Sequence, residues 1–171
     1  KKKIGIDFQN TSYYFYKLAF KSELIIKNIP NPCLLPKAEK NSTELDGARK
    51  AHIRDGVSIT KFLCWLKNLK DYNSKTEMNL GKKLYLLRKN NEFFHSISFD
   101  SISAVGKNAA LPHYRVNKNN NSKLFKNSIY LIDSGAQYYD GTTDITRTII
   151  IGTASKEQKD RFTRVLKGHI K

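Results

Sequence analysis

The sequence predicts an α+β fold, on three observations. Apolar residues recur at helical spacing in the segment after Asn41, alternation with polar residues takes over from Phe93, and a helical pattern returns only after Ser155. Helix, helix, strands, helix is an order of segregated elements rather than of alternating βαβ units, and no internal repeat interrupts it. With 171 residues, 39% of them hydrophobic, the chain has material for one packed core.

Taken in order, Ile4-Gly5-Ile6-Asp7 has strand character, and the aromatic-rich Tyr13-Tyr14-Phe15-Tyr16 follows it before the breakers Pro30, Pro32 and Pro36. Residues 1–30 therefore read as the end of a preceding domain or a linker, and residues 31–171 as part of the domain proper. Asn41 stands three residues before Glu44 at capping-box spacing, and Leu45, Ala48, His52, Val57, Ile59, Leu63 and Leu66 recur near helical spacing. One long helix, about residues 42 to 69, is expected. Thr76 and Glu77 start a second helix through Leu80, Leu84 and Leu87, with a lysine-rich solvent face. His95, Ile97, Phe99 and Ile102 then alternate with polar residues as a strand, and Gly106 and Asn108 mark a turn. Asn117 to Asn127 is polar and rich in asparagine, so an exposed, mobile loop is expected there. Strands follow at Ser128–Asp133 and Asp144–Ile151, and Ser155 with Gln158 caps a last helix through Phe162, Val165 and Leu166.

Composition narrows the partners. There is no run of eighteen apolar residues and no secretion leader, so no membrane partner is expected, while Lys1-Lys2-Lys3 reads as the middle of a longer chain. A cytoplasmic location is expected. Cys33 and Cys64 lack a second Cys or His at metal-ligand spacing and read as reduced thiols packed as small hydrophobes. The net charge of +16 would suit a polyanion, but the lysines are scattered among asparagines without an aromatic-interleaved stripe. Compositional bias is the better reading, and nucleic acid is not an expected partner.

The chemistry concentrates in Tyr130 to Thr148. If the two strands pair about Tyr138 and Tyr139, Asp133 and Asp144 face each other with Cβ atoms about 5 Å apart. Carboxylates so close repel each other, and a divalent metal removes the conflict; oxygen ligands suit Mg, Ca or Mn, and paired metals can share carboxylates. Turn chemistry competes with this reading, because Asp140-Gly141 is a favoured turn pair and aspartates commonly cap strands. On spacing alone the turn reading leads, and for Asp140 it is retained. Asp133 and Asp144, however, end one strand and begin the next, where a buried carboxylate needs a partner. His52, His95 and His169 read as core or boundary residues, and Arg147 either pairs with a site carboxylate or covers the sheet.

The run Asp133-Ser134-Gly135-Ala136-Gln137-Tyr138, then Asp140-Gly141-Thr142-Thr143-Asp144, then Thr146-Arg147-Thr148, resembles the first metal-ligand segment of the aminopeptidase P branch of the pita-bread (creatinase/aminopeptidase) metallopeptidases. The resemblance extends to Lys37-Ala38-Glu39-Lys40-Asn41 with Glu44, to Ala51-His52-Ile53-Arg54-Asp55-Gly56, and to Ser98-Phe99 through Gly106 with His113-Tyr114. It implies an α+β fold that is the N-terminal half of a pita-bread catalytic domain. It also implies that Asp133 and Asp144 bind metal and that His113 is a catalytic residue contacting substrate and helping to stabilise the intermediate. Two divalent ions, Mn2+ by analogy, and a metal-bridging hydroxide would then hydrolyse the bond between an N-terminal residue and a following proline in peptides. Family members complete the site with a later histidine and two glutamates that this sequence lacks, so the chain alone is expected to be inactive. The expected partners are peptides with proline at the second position, and a homodimer is compatible with the resemblance. Prolidase is the near alternative; the distant one is a metal-free pita-bread module that binds nucleic acid, ribosomes or histones.

Overall fold

The computed structural model describes residues 1–171 and divides into two compact units, Lys1–Leu45 and Asp46–Lys171. The first unit holds residues 1–30 and a short connecting segment after them. Strand β1 (Lys3–Ile6) and strand β2 (Ile25–Asn28) pair in parallel through helix α1 (Tyr13–Lys21). The Ser12 side chain caps α1 by accepting from the Tyr14 backbone N–H. Ile6 and Ala19 form the buried part of this unit, and a short helix α2 (Leu34–Ala38) follows.

Helix α3 (Ser42–Lys67) starts where the sequence places it, with the capping box closed by Asn41 N–H to Glu44 Oε2 and Glu44 N–H to Asn41 Oδ1, both 2.9 Å. Its buried stripe is Gly47, Ala51, Asp55, Ser58, Ile59, Phe62 and Leu66. That stripe is rotated from the expected one: Leu45 and Val57 are exposed, and His52 is no core residue, since it is exposed with Nδ1 2.8 Å from the Ala48 carbonyl oxygen. The small residues at its start face the Asp140 backbone, where a Cβ on Gly47 would overlap the Asp140 carbonyl oxygen. Helix α4 (Glu77–Lys89) is capped by Thr76 and Asn79 and buries Glu77, Leu80, Leu84 and Arg88. Ile59, Phe62 and Leu66 of α3 and Leu80 and Leu84 of α4 form one apolar core with Val105, Leu124, Tyr130, Ile132 and Ile151.

The single strand expected after Phe93 is two strands in two sheets. Strand β3 (Phe94–Ile97) lies beside β6 (Ala136–Tyr138), which pairs with β7 (Gly141–Thr142); strand β4 (Ile102–Val105) lies beside β5 (Ser128–Ser134), which pairs with β8 (Ile145–Ile151). All these pairings are antiparallel. The break between β3 and β4 is set by Ser98, whose N–H donates to the Gly135 carbonyl and whose Oγ donates to the Thr143 carbonyl. A 3-10 turn, Gly106–Ala110, follows β4.

The asparagine-rich segment differs from the free loop expected of it. Leu124 is fully buried with its N–H on the Lys75 carbonyl at 2.8 Å, and Asn121 Oδ1 accepts from the Met78 N–H at 3.0 Å. Its polar side chains therefore serve the start of α4 as well as solvent. Helix α5 (Lys156–Ile170), capped by Ser155 and Gln158, buries none of its residues. Cys33 and Cys64 are exposed rather than packed. No helix is long and apolar enough to cross a membrane.

Candidate metal centre

Asp133 lies near the end of β5, opposite Ile102 of β4 on one side and Thr146 of β8 on the other. The chain then crosses into β6, turns at Tyr139 and Asp140, and returns through β7, with Tyr138 paired to Gly141. The turn is thus centred one residue later than the sequence reading has it, which moves each cross-strand partner by two. Ser134 pairs with Ile145, so Asp144 is a diagonal neighbour of Asp133 rather than its direct partner. Diagonal pairs stand at about 7–8 Å rather than about 5 Å. A two-residue shift keeps every side chain on its own face, and both carboxylates still line one cleft, with Phe99, Asp100, Ile102, His113 and Arg115.

Asp140 ties the turn to α3. Its carboxylate takes two hydrogen bonds from Arg54, Nη1 to Oδ1 and Nη2 to Oδ2, each 2.9 Å. That bidentate bond holds the Asp140 carboxyl below its ordinary value and raises the Arg54 guanidinium above its own. The guanidinium also lies 5.1 Å from the ring centroids of Phe93 and Tyr138.

Within the cleft, Asp133 Oδ1 accepts from Thr146 Oγ1 at 2.9 Å. None of the chain's ion pairs involves Asp133 or Asp144. Arg115, at the cleft rim, is paired with Asp100 at 3.2 Å, and Arg147 turns to the Thr146 carbonyl at 2.7 Å, away from any site carboxylate. His113 is exposed with φ of 54°, a conformation that costs a non-glycine residue energy and needs support from its neighbours. The next residue, Tyr114, is buried. Its hydroxyl donates to Glu77 Oε2 at 2.8 Å, and burial together with this carboxylate pushes it up to about 12. Glu77 is itself fully buried and accepts from the Val105 N–H at 2.7 Å, Asn108 Nδ2 at 2.9 Å and the Ser122 N–H at 2.9 Å.

A second buried carboxylate underlies the hairpin. Asp55 accepts from Arg88 Nε at 2.6 Å and Nη2 at 2.8 Å, from Tyr138 Oη at 2.9 Å and from Thr143 Oγ1 at 3.0 Å. Arg88 Nη2 also donates to the Ser134 carbonyl at 3.3 Å. Burial, with the nearby Asp55, pushes the Tyr138 hydroxyl up to about 12. The sequence does carry a signal for this pair: Asp55 stands on the stripe 51, 55, 59 of α3 and Arg88 on the stripe 80, 84, 88 of α4, charges of opposite sign at core positions.

Two carboxylates free of cation partners, beside an imidazole in one cleft, form a donor set that hard divalent ions accept. No group of three or more His, Cys, Asp or Glu comes together at metal-holding distance, and such ions take about six ligands. These residues fit a metal site as one part of its ligand set.

Comparison with known proteins gives a consistent picture. Residues 46–171 match metallopeptidase family M24. The chain is 42% identical over 173 residues to Xaa-Pro aminopeptidase 1 of Dictyostelium discoideum, covering 99% of this chain and 27% of that one. It is also 42% identical over 168 residues to Xaa-Pro aminopeptidase 2 of Sus scrofa, covering 98% of this chain and 25% of that one. Among solved structures, the X-prolyl aminopeptidase of Caenorhabditis elegans, described as a cytosolic enzyme with a di-nuclear active site, superposes with a TM-score of 0.72 at 34% identity over 84% of this chain and 27% of its own. Prolidase from Pyrococcus furiosus superposes with a TM-score of 0.76 at 25% identity, covering 98% of this chain and 47% of its own. The antiparallel sheets and long helices are the pita-bread architecture that the sequence implies. This chain spans about a quarter of the length of the curated relatives it matches.

Proposed function

Since the chain belongs to metallopeptidase family M24, we propose that residues 31–171 are the N-terminal half of the catalytic domain of an Xaa-Pro aminopeptidase, with residues 1–30 closing a preceding domain. The observation that carries the reading is the cleft in which Asp133, Asp144 and His113 meet. Aminopeptidase P is preferred to prolidase because the matching runs from Asp133 to Tyr138 and from Asp140 to Asp144 are those of that branch, and the Dictyostelium and pig relatives carry that name.

Asp133 and Asp144 would hold two divalent ions, Mn2+ by family analogy. When bound, such a pair supplies a Lewis acid for the scissile carbonyl and an activated water as nucleophile. Thr146, bonded to Asp133 Oδ1, leaves Oδ2 of that carboxylate for coordination. His113 stands at the cleft to donate to the carbonyl oxygen of the bond before proline as negative charge develops there. Next to it, Tyr114 anchors the segment to the buried Glu77. The substrates are peptides with proline at the second position. A cytoplasmic location is part of the proposal, supported by the cytosolic description of the Caenorhabditis enzyme.

The test is Mn2+-dependent release of the first residue from an Xaa-Pro peptide by the full-length protein. Asp133→Ala and Asp144→Ala are expected to lower activity by more than the ~10- to 100-fold that changes outside the ligand shell cost. His113→Ala is expected to lower kcat by about 100- to 1,000-fold with metal content kept. A folded full-length protein with no release and no bound metal would support the metal-free binding module instead.

A further inference from the structure

We propose that the buried Asp55–Arg88 ion pair is a positioning device that sets the spacing of Asp133 and Asp144, a role that rests on the metallopeptidase reading of those two residues. The pair grips the chain on either side of the hairpin. Arg88 Nη2 donates to the carbonyl of Ser134, the residue after Asp133, and Asp55 Oδ2 accepts from the hydroxyl of Thr143, the residue before Asp144. Asp55 Oδ1 takes the Tyr138 hydroxyl from the middle of the excursion, and Thr143 Oγ1 in turn accepts from the Ala136 N–H at 3.0 Å. The 0% and 1% side-chain exposure of Asp55 and Arg88 keeps water from competing for these bonds.

Neither Asp55 nor Arg88 lines the cleft, so they act through the backbone that carries the ligands. Stability alone is a poor reason for such a pair, because apolar residues of similar volume often replace a buried ion pair without loss. Its geometry serves orientation. A planar guanidinium can hold a carboxylate with two donors and still offer an N–H to the Ser134 carbonyl, which a lysine ammonium on a flexible stem cannot do in one fixed plane. Helices α3 and α4, locked to each other by the apolar core, thereby fix a separation that the hairpin alone leaves to a two-residue turn.

The experiment uses the full-length protein and reads Mn2+ affinity by calorimetry, kcat at saturating Mn2+, and circular dichroism of the metal-free form. Thr143→Val keeps the shape of the side chain and removes one bond to the pair, and Asp55→Asn keeps the shape and removes the charge. Leu84→Ala is the control, since it loosens the same core without touching the pair. Both test variants are expected to weaken Mn2+ binding by about 10- to 100-fold, with kcat lowered and the fold of the metal-free Thr143→Val protein kept. Leu84→Ala is expected to bind Mn2+ as the parent does. Thr143→Val binding within about twofold of the parent, or Leu84→Ala weakening it as much, overturns the proposal. If Asp55→Asn does not fold, Thr143→Val alone decides. A folded parent protein with no bound divalent metal and no release of the first residue overturns the metal-site reading of Asp133 and Asp144 and this role together, whereas a binding parent with unaffected variants overturns this role alone.

Discussion

Asp140 sits in the turn that the sequence assigns it, yet its carboxylate also pins that turn to α3 through Arg54. Turn preference is local and legible; the partner 86 positions away is not, because nothing in either neighbourhood names the other. Asp133, Asp144 and His113 stand out in the sequence for a different reason, their match to a known motif; Asp55 shows only as a charge on an apolar helix stripe, and Glu77 reads as an ordinary first-turn acid until burial is known. The Asp140 bond has a pH signature. Its folded pKa lies below the ordinary 3.8, so the stabilisation is fully present above that value and is lost as pH falls through the lower folded value. Asp140→Asn in the full-length protein is expected to cost about 1 kcal/mol at neutral pH, near the upper end for a partly exposed pair. Urea unfolding across the acid range checks it. The difference between parent and variant should shrink below pH 3.8, and a difference that stays constant there would refute the electrostatic account.

Elements whose ends are set by nearby side chains are placed well by sequence. The boxes at Asn41 and Glu44 and at Ser155 and Gln158, with Thr76 at the head of α4, start three helices where spacing puts them. Strand identity after Phe93 is not local in this way, since the chain changes sheet only because β6 and β5 are there to receive it. The crossing depends on Gly135: a Cβ there would overlap the Thr143 carbonyl oxygen and Ser98 Oγ. Gly135→Ala must therefore push β5 and β6 away from the segment leading into Asp144, at about 1–3 kcal/mol for overpacking of this kind. Lower unfolding stability together with weaker Mn2+ binding is expected in the full-length protein. A variant with both properties unchanged would show that the crossing relaxes without moving the aspartates.

For the molecule as a whole, the α+β class follows from the order of elements. The sequence marks a separate first segment by its proline breakers, but not its parallel pairing of β1 with β2, because that is a contact between segments about twenty residues apart and not a property of either. Ligand number then decides what these residues can do by themselves. Asp133 and Asp144 offer four carboxylate oxygens, one already taken by Thr146, and the chain assembles no third metal-binding side chain with them. Hard divalent ions take about six donors each, so most positions would be left to water, and loosely held ions dissociate readily. The 171-residue chain is therefore expected to bind Mn2+ at least about 100-fold more weakly than the full-length protein and to release no residue from an Xaa-Pro peptide. Calorimetry and the release assay on both proteins check this. Tight stoichiometric binding by the 171 residues would mean that these two carboxylates and His113 make a sufficient site, and the division of ligands between the two halves of the domain would have to be abandoned.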